Sequence, residues 1–374
     1  MFDKLIAGWQ VHRALQDRLG VLSPFSSDST KRRFLMISAH GDLPNTQLFP
    51  FFYHRAELAS RYNVEIREVP LERWLSGRNP FKQRVDVVCL QTGYVDSPAE
   101  LQVIVAQIRN TYPDCRLAYF DWFAPTDLRY AAILNDGIDL YLKKHLLKDR
   151  SQYGQATLGD TNLMDFYSRR FALDEVTVNY PVPDSFWPKL VVGSNFAFAA
   201  HIMPHFLGNF PAKPHTLDVH ARIATKGTPW YSRMRQEAYD AVQALPKTIT
   251  TASQGMVPGS QYRKELLASR LCFSPFGYGE VCWRDFEAQY SGSLLLKPDM
   301  SHLDCSPQIY IPYETYVPLA WDLSDFAEKV DFYLSHPQQR TAITQNAFHL
   351  VKTYFSQQQF LSDMHPVISK LLGE

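Results

Sequence analysis

A chain of 374 residues with 38 Lys plus Arg against 38 Asp plus Glu carries no net charge, which argues against a nucleic-acid binder or an acidic tail. Its length predicts two domains of ordinary size, and no apolar run is long enough to cross a bilayer. The five cysteines, Cys89, Cys115, Cys272, Cys282 and Cys305, lack metal spacing, and three stand in or beside apolar runs, so reduced thiols and a cytoplasmic location are expected.

Residues 1–32 read as an N-terminal helical extension, because Leu5, Ile6, Trp9, Leu15 and Leu19 recur at roughly helical spacing. Packing on the body is expected; peripheral membrane contact is the alternative, which Asp3 and Asp17 weaken. Residues 33–190 alternate strand and helix patterns. Strands are expected at 34–38, 64–69 (an edge, from its period of two), 85–90, 116–120 and 138–142, with helices at 51–61 and 98–109. Prolines 181, 183, 188, 204, 211 and 214 interrupt the rhythm, so 162–214 is expected to connect two domains through short helices. Residues 191–374 resume it, with strands at 216–222, 247–251, 271–273, 293–296 and 316–320. Helices are expected at 230–245, 260–269, 326–334, 338–355 and 360–372. The pattern predicts an α/β protein of two Rossmann-like domains facing a cleft.

Several strand ends carry candidate chemistry. Ser38-Ala-His-Gly-Asp-Leu-Pro44 offers His40, whose unperturbed pKa suits a general base, and Asp42, as its orienting partner or the base itself; a helix-capping turn is the competing reading. Tyr119-Phe-Asp-Trp-Phe-Ala-Pro-Thr-Asp127 offers Asp121, Trp122 and Asp127 to the cleft as a sugar-binding surface, against a buried Trp with Asp127 as a helix cap. Lys143-Lys-His145 either touches an anionic acceptor or is solvated. Arg222 and Lys226, in a basic turn ending at Gly227, either meet phosphates or form a solvated loop, while Arg233 and Arg235 read as helix-surface charges. His201, His205, His215 and His220 lack zinc spacing.

The densest segment is Ser274-Pro-Phe-Gly-Tyr-Gly-Glu-Val-Cys-Trp-Arg-Asp-Phe-Glu-Ala288, which follows a strand and opens a helix. At helical spacing Glu280, Arg284 and Glu287 share one face beyond the turn Gly277, Tyr278, Gly279. Backbone N–H groups and a helix dipole at such a turn suit phosphate, and an arginine can grip diphosphate in a bidentate way. The competing reading is a tight turn followed by exposed charge pairs.

The run Gly279-Glu280, Arg284, Phe286-Glu287-Ala288, then a small-residue turn and an apolar strand, resembles the donor-binding segment of GT-B glycosyltransferases, closest to the exostosin-like group. The departures are Gln289-Tyr-Ser after Ala288 and a glutamate spacing one residue shorter than that of many retaining relatives. The resemblance implies Arg284 near the donor diphosphate, Glu287 near the ribose, Glu280 at the donor sugar, and a C-terminal helix crossing back to the first domain. It implies transfer of a sugar from a nucleotide-sugar donor to a carbohydrate or glycolipid acceptor, with no separate cofactor. No Asp-x-Asp occurs, so no catalytic metal is expected. A sugar-nucleotide epimerase of the same fold and a non-catalytic binding protein are the alternatives.

Overall fold

A computed structural model describes residues 11, 24–93, 97–211, 215–253 and 255–374. The expected N-terminal helix falls, apart from Val11, outside them, and residues 24–31 are irregular.

The first sheet takes β1 (Arg32–Ser38), β2 (Val64–Pro70), β3 (Val87–Leu90), β4 (Arg116–Asp121) and β5 (Leu140–Lys143). After β6 (His145–Leu147) and the hairpin β7 (Thr157–Leu158) and β8 (Thr177–Val178), the chain returns as β9 (Leu190–Val192). All pairings in the order β2-β1-β3-β4-β5-β9 are parallel. The second sheet takes β10 (Leu217–His220), β11 (Thr251–Ala252), β12 (Ser269–Phe273) and β13 (Leu294–Pro298), and then, after β14 (Leu303–Cys305), β15 (Val317–Leu319). Its order β11-β10-β12-β13-β15 is again parallel. Among the described residues, the helices of eight residues or more are α1 (Asp42–Tyr53), α2 (Arg55–Tyr62), α3 (Pro98–Thr111), α4 (Asn162–Phe171), α5 (Pro229–Gln243), α6 (Gly259–Ala268), α7 (Trp283–Ser291), α8 (Phe326–Ser335), α9 (Pro337–Ser356) and α10 (His365–Leu372).

Two parallel α/β sheets are thus present, as expected. Alternation along each strand explains them. Phe34 and Met36 of β1, Val87 and Cys89 of β3, and Ala118 and Phe120 of β4 enter one core. Their neighbours Leu35, Ile37, Val88, Leu90, Leu117 and Tyr119 enter another. Strands covered on both faces must be apolar throughout, which makes them visible as short apolar runs. The first of these cores does not stop at the domain boundary, because it also takes Phe286, Leu295 and Val351 from the second half. Each such side chain contributes about 1.5–3 kcal/mol on burial.

Besides this shared core, the connections between the halves include three that matter here. Strand β14 pairs antiparallel with β6. Helix α10 packs against β4, with Lys370 donating to the Pro188 carbonyl at 2.6 Å. The third is the turn after β12, described below.

Two expectations need correction. The proline-rich stretch is more than a connection, since it supplies α4, the strand β8 that pairs antiparallel with β7, and the edge strand β9. The strand expected at 247–251 shrinks to Thr251–Ala252, because a turn in which the Ile249 N–H donates to the Pro246 carbonyl occupies its start.

Candidate active site

The carboxyl ends of both sheets face one another, and loops there meet in a cavity of about 450 Å³. From the first domain come His40, Gly41, Asp42 and Pro44 after β1, and Trp122 after β4; from the second come Trp283 and Glu287 of α7. Gly41 has φ +124°, which an L side chain rarely adopts, and this lets the chain turn sharply from β1 into α1. Among the described residues no side chain caps helix α1, and its first turn, with the positive end of the helix dipole, lines the cavity. His40 is therefore not the helix cap of the competing reading. His40 and Asp42 are both exposed and line the cavity opposite Glu287.

The glycine turn is built differently from the expectation. Helix α7 starts at Trp283, not at the glycines, so Glu280 stands outside it and shares no face with Arg284 and Glu287. Asp285 sets this start: fully buried, it accepts from the Cys282 N–H at 2.9 Å, Ser274 Oγ at 2.6 Å and Tyr310 at 2.6 Å, with Lys297 Nζ at 3.1 Å. Glu280 turns away, wholly buried, and binds the first domain. It accepts from Thr126 Oγ1 at 2.6 Å and Asn162 Nδ2 at 2.8 Å, with His145 Nε2 at 3.6 Å and His302 Nε2 at 3.8 Å. Burial opposes its charge, yet His145 and His302 hold its carboxyl well below the usual carboxylate range. Beside it Gly279 touches the Ala124 backbone so closely that a Cβ would lie 2.0 Å from its carbonyl oxygen.

Arg284 and Glu287 remain together. Tyr262 of α6 donates to Glu287 at 2.8 Å and meets Arg284 Nε at 3.3 Å. The Arg284 head also donates to the carbonyls of Phe273 (3.5 Å) and Arg222. Arg222 itself is occupied, holding Glu265 in a bidentate pair at 3.0 and 2.7 Å, which corrects the expectation of a charge facing phosphate. Lys226 is exposed. Tyr278 joins the two turns: its ring stacks on Tyr231 at 4.3 Å and its hydroxyl accepts from the Thr228 N–H at 3.1 Å.

Three more expectations fail, two of them on burial. Asp121 does not face the cleft: it is buried and held by Tyr141 at 2.5 Å, Lys143 Nζ at 2.7 Å and the Phe123 N–H at 3.0 Å. Its neighbour Asp127 pairs with Arg129 at 2.7 Å instead of capping a helix. Lys143, Lys144 and His145 are all buried, not solvated. Lys144 lies over the Phe196 ring at 4.2 Å, and burial, then Lys143, pushes it down to about 7.

Sequence reasoning missed Arg235, His201 and Trp283. Arg235 is buried, its head donating to the carbonyls of Ala224 (3.0 Å) and Phe276 (2.9 Å) and so pinning both turns. It has no carboxylate in ion-pair range among the described residues, and burial, then Arg284, lowers its pKa. Its position four residues before Tyr239 on α5 carries no signal that separates it from solvated Arg233. His201 and Trp283 share the cavity with rings 4.9 Å apart. His201 was weighed only as a zinc ligand, and among the described residues no group of three or more His, Cys, Asp or Glu has the arrangement to hold a metal ion.

The sequence of residues 213–365 matches a family model described as glycosyl transferase-like. The matched residues hold the glycine turn, Arg235, Arg284 and Glu287. Solved structures similar to the chain include a glycosyltransferase from Rickettsia africae (10% identity, 91% of this chain and 99% of that one, TM-score 0.48). Others are an alpha-glucosyltransferase in complex with UDP and a 13-mer DNA containing an HMU base (8%, 89% and 99%, TM-score 0.46) and a putative UDP-N-acetylglucosamine 2-epimerase from Listeria monocytogenes (11%, 90% and 96%, TM-score 0.44). No curated protein matches the chain. No described helix is long and apolar enough to cross a membrane.

Proposed function

We propose that the protein transfers a sugar from a nucleotide-sugar donor to a hydroxyl-bearing acceptor. The observation that carries this reading is the cavity in which His40 and Asp42 of one domain face Glu287 of the other, whose partner Tyr262 also meets Arg284. Buried Arg235 and half-buried Arg284, with no carboxylate in ion-pair range among the described residues, and the start of α1 supply positive charge for an anion, so the donor diphosphate belongs between them. Glu287 accepts a ribose hydroxyl, with Tyr262 fixing its second oxygen.

In the transfer step the acceptor oxygen forms a bond to the anomeric carbon while the bond from that carbon to the diphosphate breaks. The electron pair leaves with the nucleoside diphosphate, and the acceptor proton passes to His40 or Asp42. Arg284 and Arg235 stabilise the charge that builds on the leaving group. These charges do the work a divalent metal does elsewhere, so transfer in excess EDTA at an undiminished rate is expected.

The test is a thermal-shift screen with UDP, GDP, dTDP and CMP. One nucleotide at about 100-fold its Kd adds about 2.7 kcal/mol, and Arg284→Ala removes the shift. A shift that survives both Arg284→Ala and Glu287→Ala overturns the site, and no shift with any nucleotide overturns the donor class.

A further inference from the structure

A second cavity, of about 660 Å³, lies on the other side of Trp122 and shares no other residue with the first. Its walls are apolar and aromatic: Trp122, Phe123, Met164 and Val176 from the first domain face Trp230 and Tyr278 from the second. Among the described residues, no Lys or Arg lines it. Of its two carboxylates, Asp160 is matched by Arg129 at 3.1 Å, while Glu175 makes no ion pair among the described residues. A nucleoside diphosphate or a phosphorylated sugar would meet that carboxylate with nothing to offset its charge. Flat aromatic faces instead suit the apolar face of an uncharged ring, with Thr161 and Thr228 at the wall for its hydroxyls. The volume is that of an ordinary small-molecule site.

We infer that this chamber, walled by the β7–β8 hairpin and the Thr228–Trp230 turn, binds the acceptor, and that the acceptor is an uncharged, ring-bearing glycoside. The inference rests on the glycosyl-transfer reading and adds its substrate class. Val176 and Tyr278 are 75% and 45% exposed, so large apolar groups stand open at the chamber. Trp122, anchored by its Nε1–H to the Thr92 carbonyl at 2.8 Å, lines both cavities, so an acceptor hydroxyl that reaches past its ring meets His40 and Asp42.

The test uses 4-nitrophenyl glucosides, galactosides and N-acetylglucosaminides as uncharged probes, and glucose 6-phosphate as the anionic one. Titration followed by saturation-transfer NMR is expected to show binding of at least one uncharged probe below roughly 10 mM, and none of the phosphate. Val176→Arg, at an exposed position that folding does not need, weakens that probe at least about tenfold while leaving nucleotide affinity unchanged. Glu175→Lys admits glucose 6-phosphate. The inference is overturned if no uncharged probe binds, if the phosphate binds the native chain equally well, or if Val176→Arg changes nothing. Nucleotide binding is read in the same samples, so failure of the donor reading shows separately, as loss of nucleotide binding in the native protein.

Discussion

Arg235 is buried and Arg284 half-buried, the partners of their guanidiniums are backbone carbonyls and a tyrosine hydroxyl, and this shapes the titration of what lies around them. His220 is buried nearby, and burial, then Arg284, pushes its imidazole down to about 3. Neither ring nitrogen has a hydrogen bond, and the ring meets Tyr262 edge-on at 4.8 Å. The folded pKa lies below the unfolded one, so the unfolded chain binds the extra proton and stability falls as pH drops below about 6.5. Between pH 7 and 5 this group costs about 2 kcal/mol. His220→Phe keeps the ring contact and is expected to flatten that part of the acid limb in urea unfolding followed across pH. A second residue-scale outcome concerns the base. If His40 takes the acceptor proton, His40→Ala lowers the transfer rate about 10²–10⁴-fold with nucleotide affinity intact, whereas Asp42→Asn gives that loss if Asp42 does. Single-turnover rates of both variants decide between them.

Elements were legible where their physics is local. Buried parallel strands such as β1, β3 and β4 must be apolar on both faces, and so they stood out as short runs. The short β9 did not, because Leu190-Val-Val192 is only half-buried and follows Pro188. The glycine segment was recognisable by its residue types, but where α7 begins depends on buried Asp285 and its partners from Tyr310 and Lys297, contacts that span the sequence. The same long-range packing hid Arg235 and turned Asp121 inward. The two glycines of the turn also differ in a way no spacing reveals. A Cβ at Gly279 collides with backbone at Ala124, which cannot swing aside, while at Gly277 the nearest atom is 3.6 Å away. Gly279→Ala is therefore expected to cost about 1–3 kcal/mol or more and to spread the domains, seen as a larger radius of gyration in solution scattering. Gly277→Ala is expected to fold and scatter like the native protein.

At the scale of the whole molecule, the halves do not behave as independent beads. A shared core, the β6–β14 pair and the Glu280 contacts bind them, so thermal unfolding is expected in a single transition. Helix α10 belongs to this union: Val367, Ile368 and Leu371 are buried, and His365 Nδ1 meets the Tyr62 hydroxyl at 2.7 Å. Deleting residues 365–374 removes three apolar side chains at about 1.5–3 kcal/mol each, and calorimetry should show Tm falling by roughly 5–10 °C. The packing of α10 on β4 also bears on the order of synthesis. The ribosome delivers β4 some 250 residues ahead of the helix that covers it, an interval of roughly 12–50 s at ordinary elongation rates. Through that interval the nascent first sheet carries an uncovered apolar patch, a surface open to non-native association until α10 emerges.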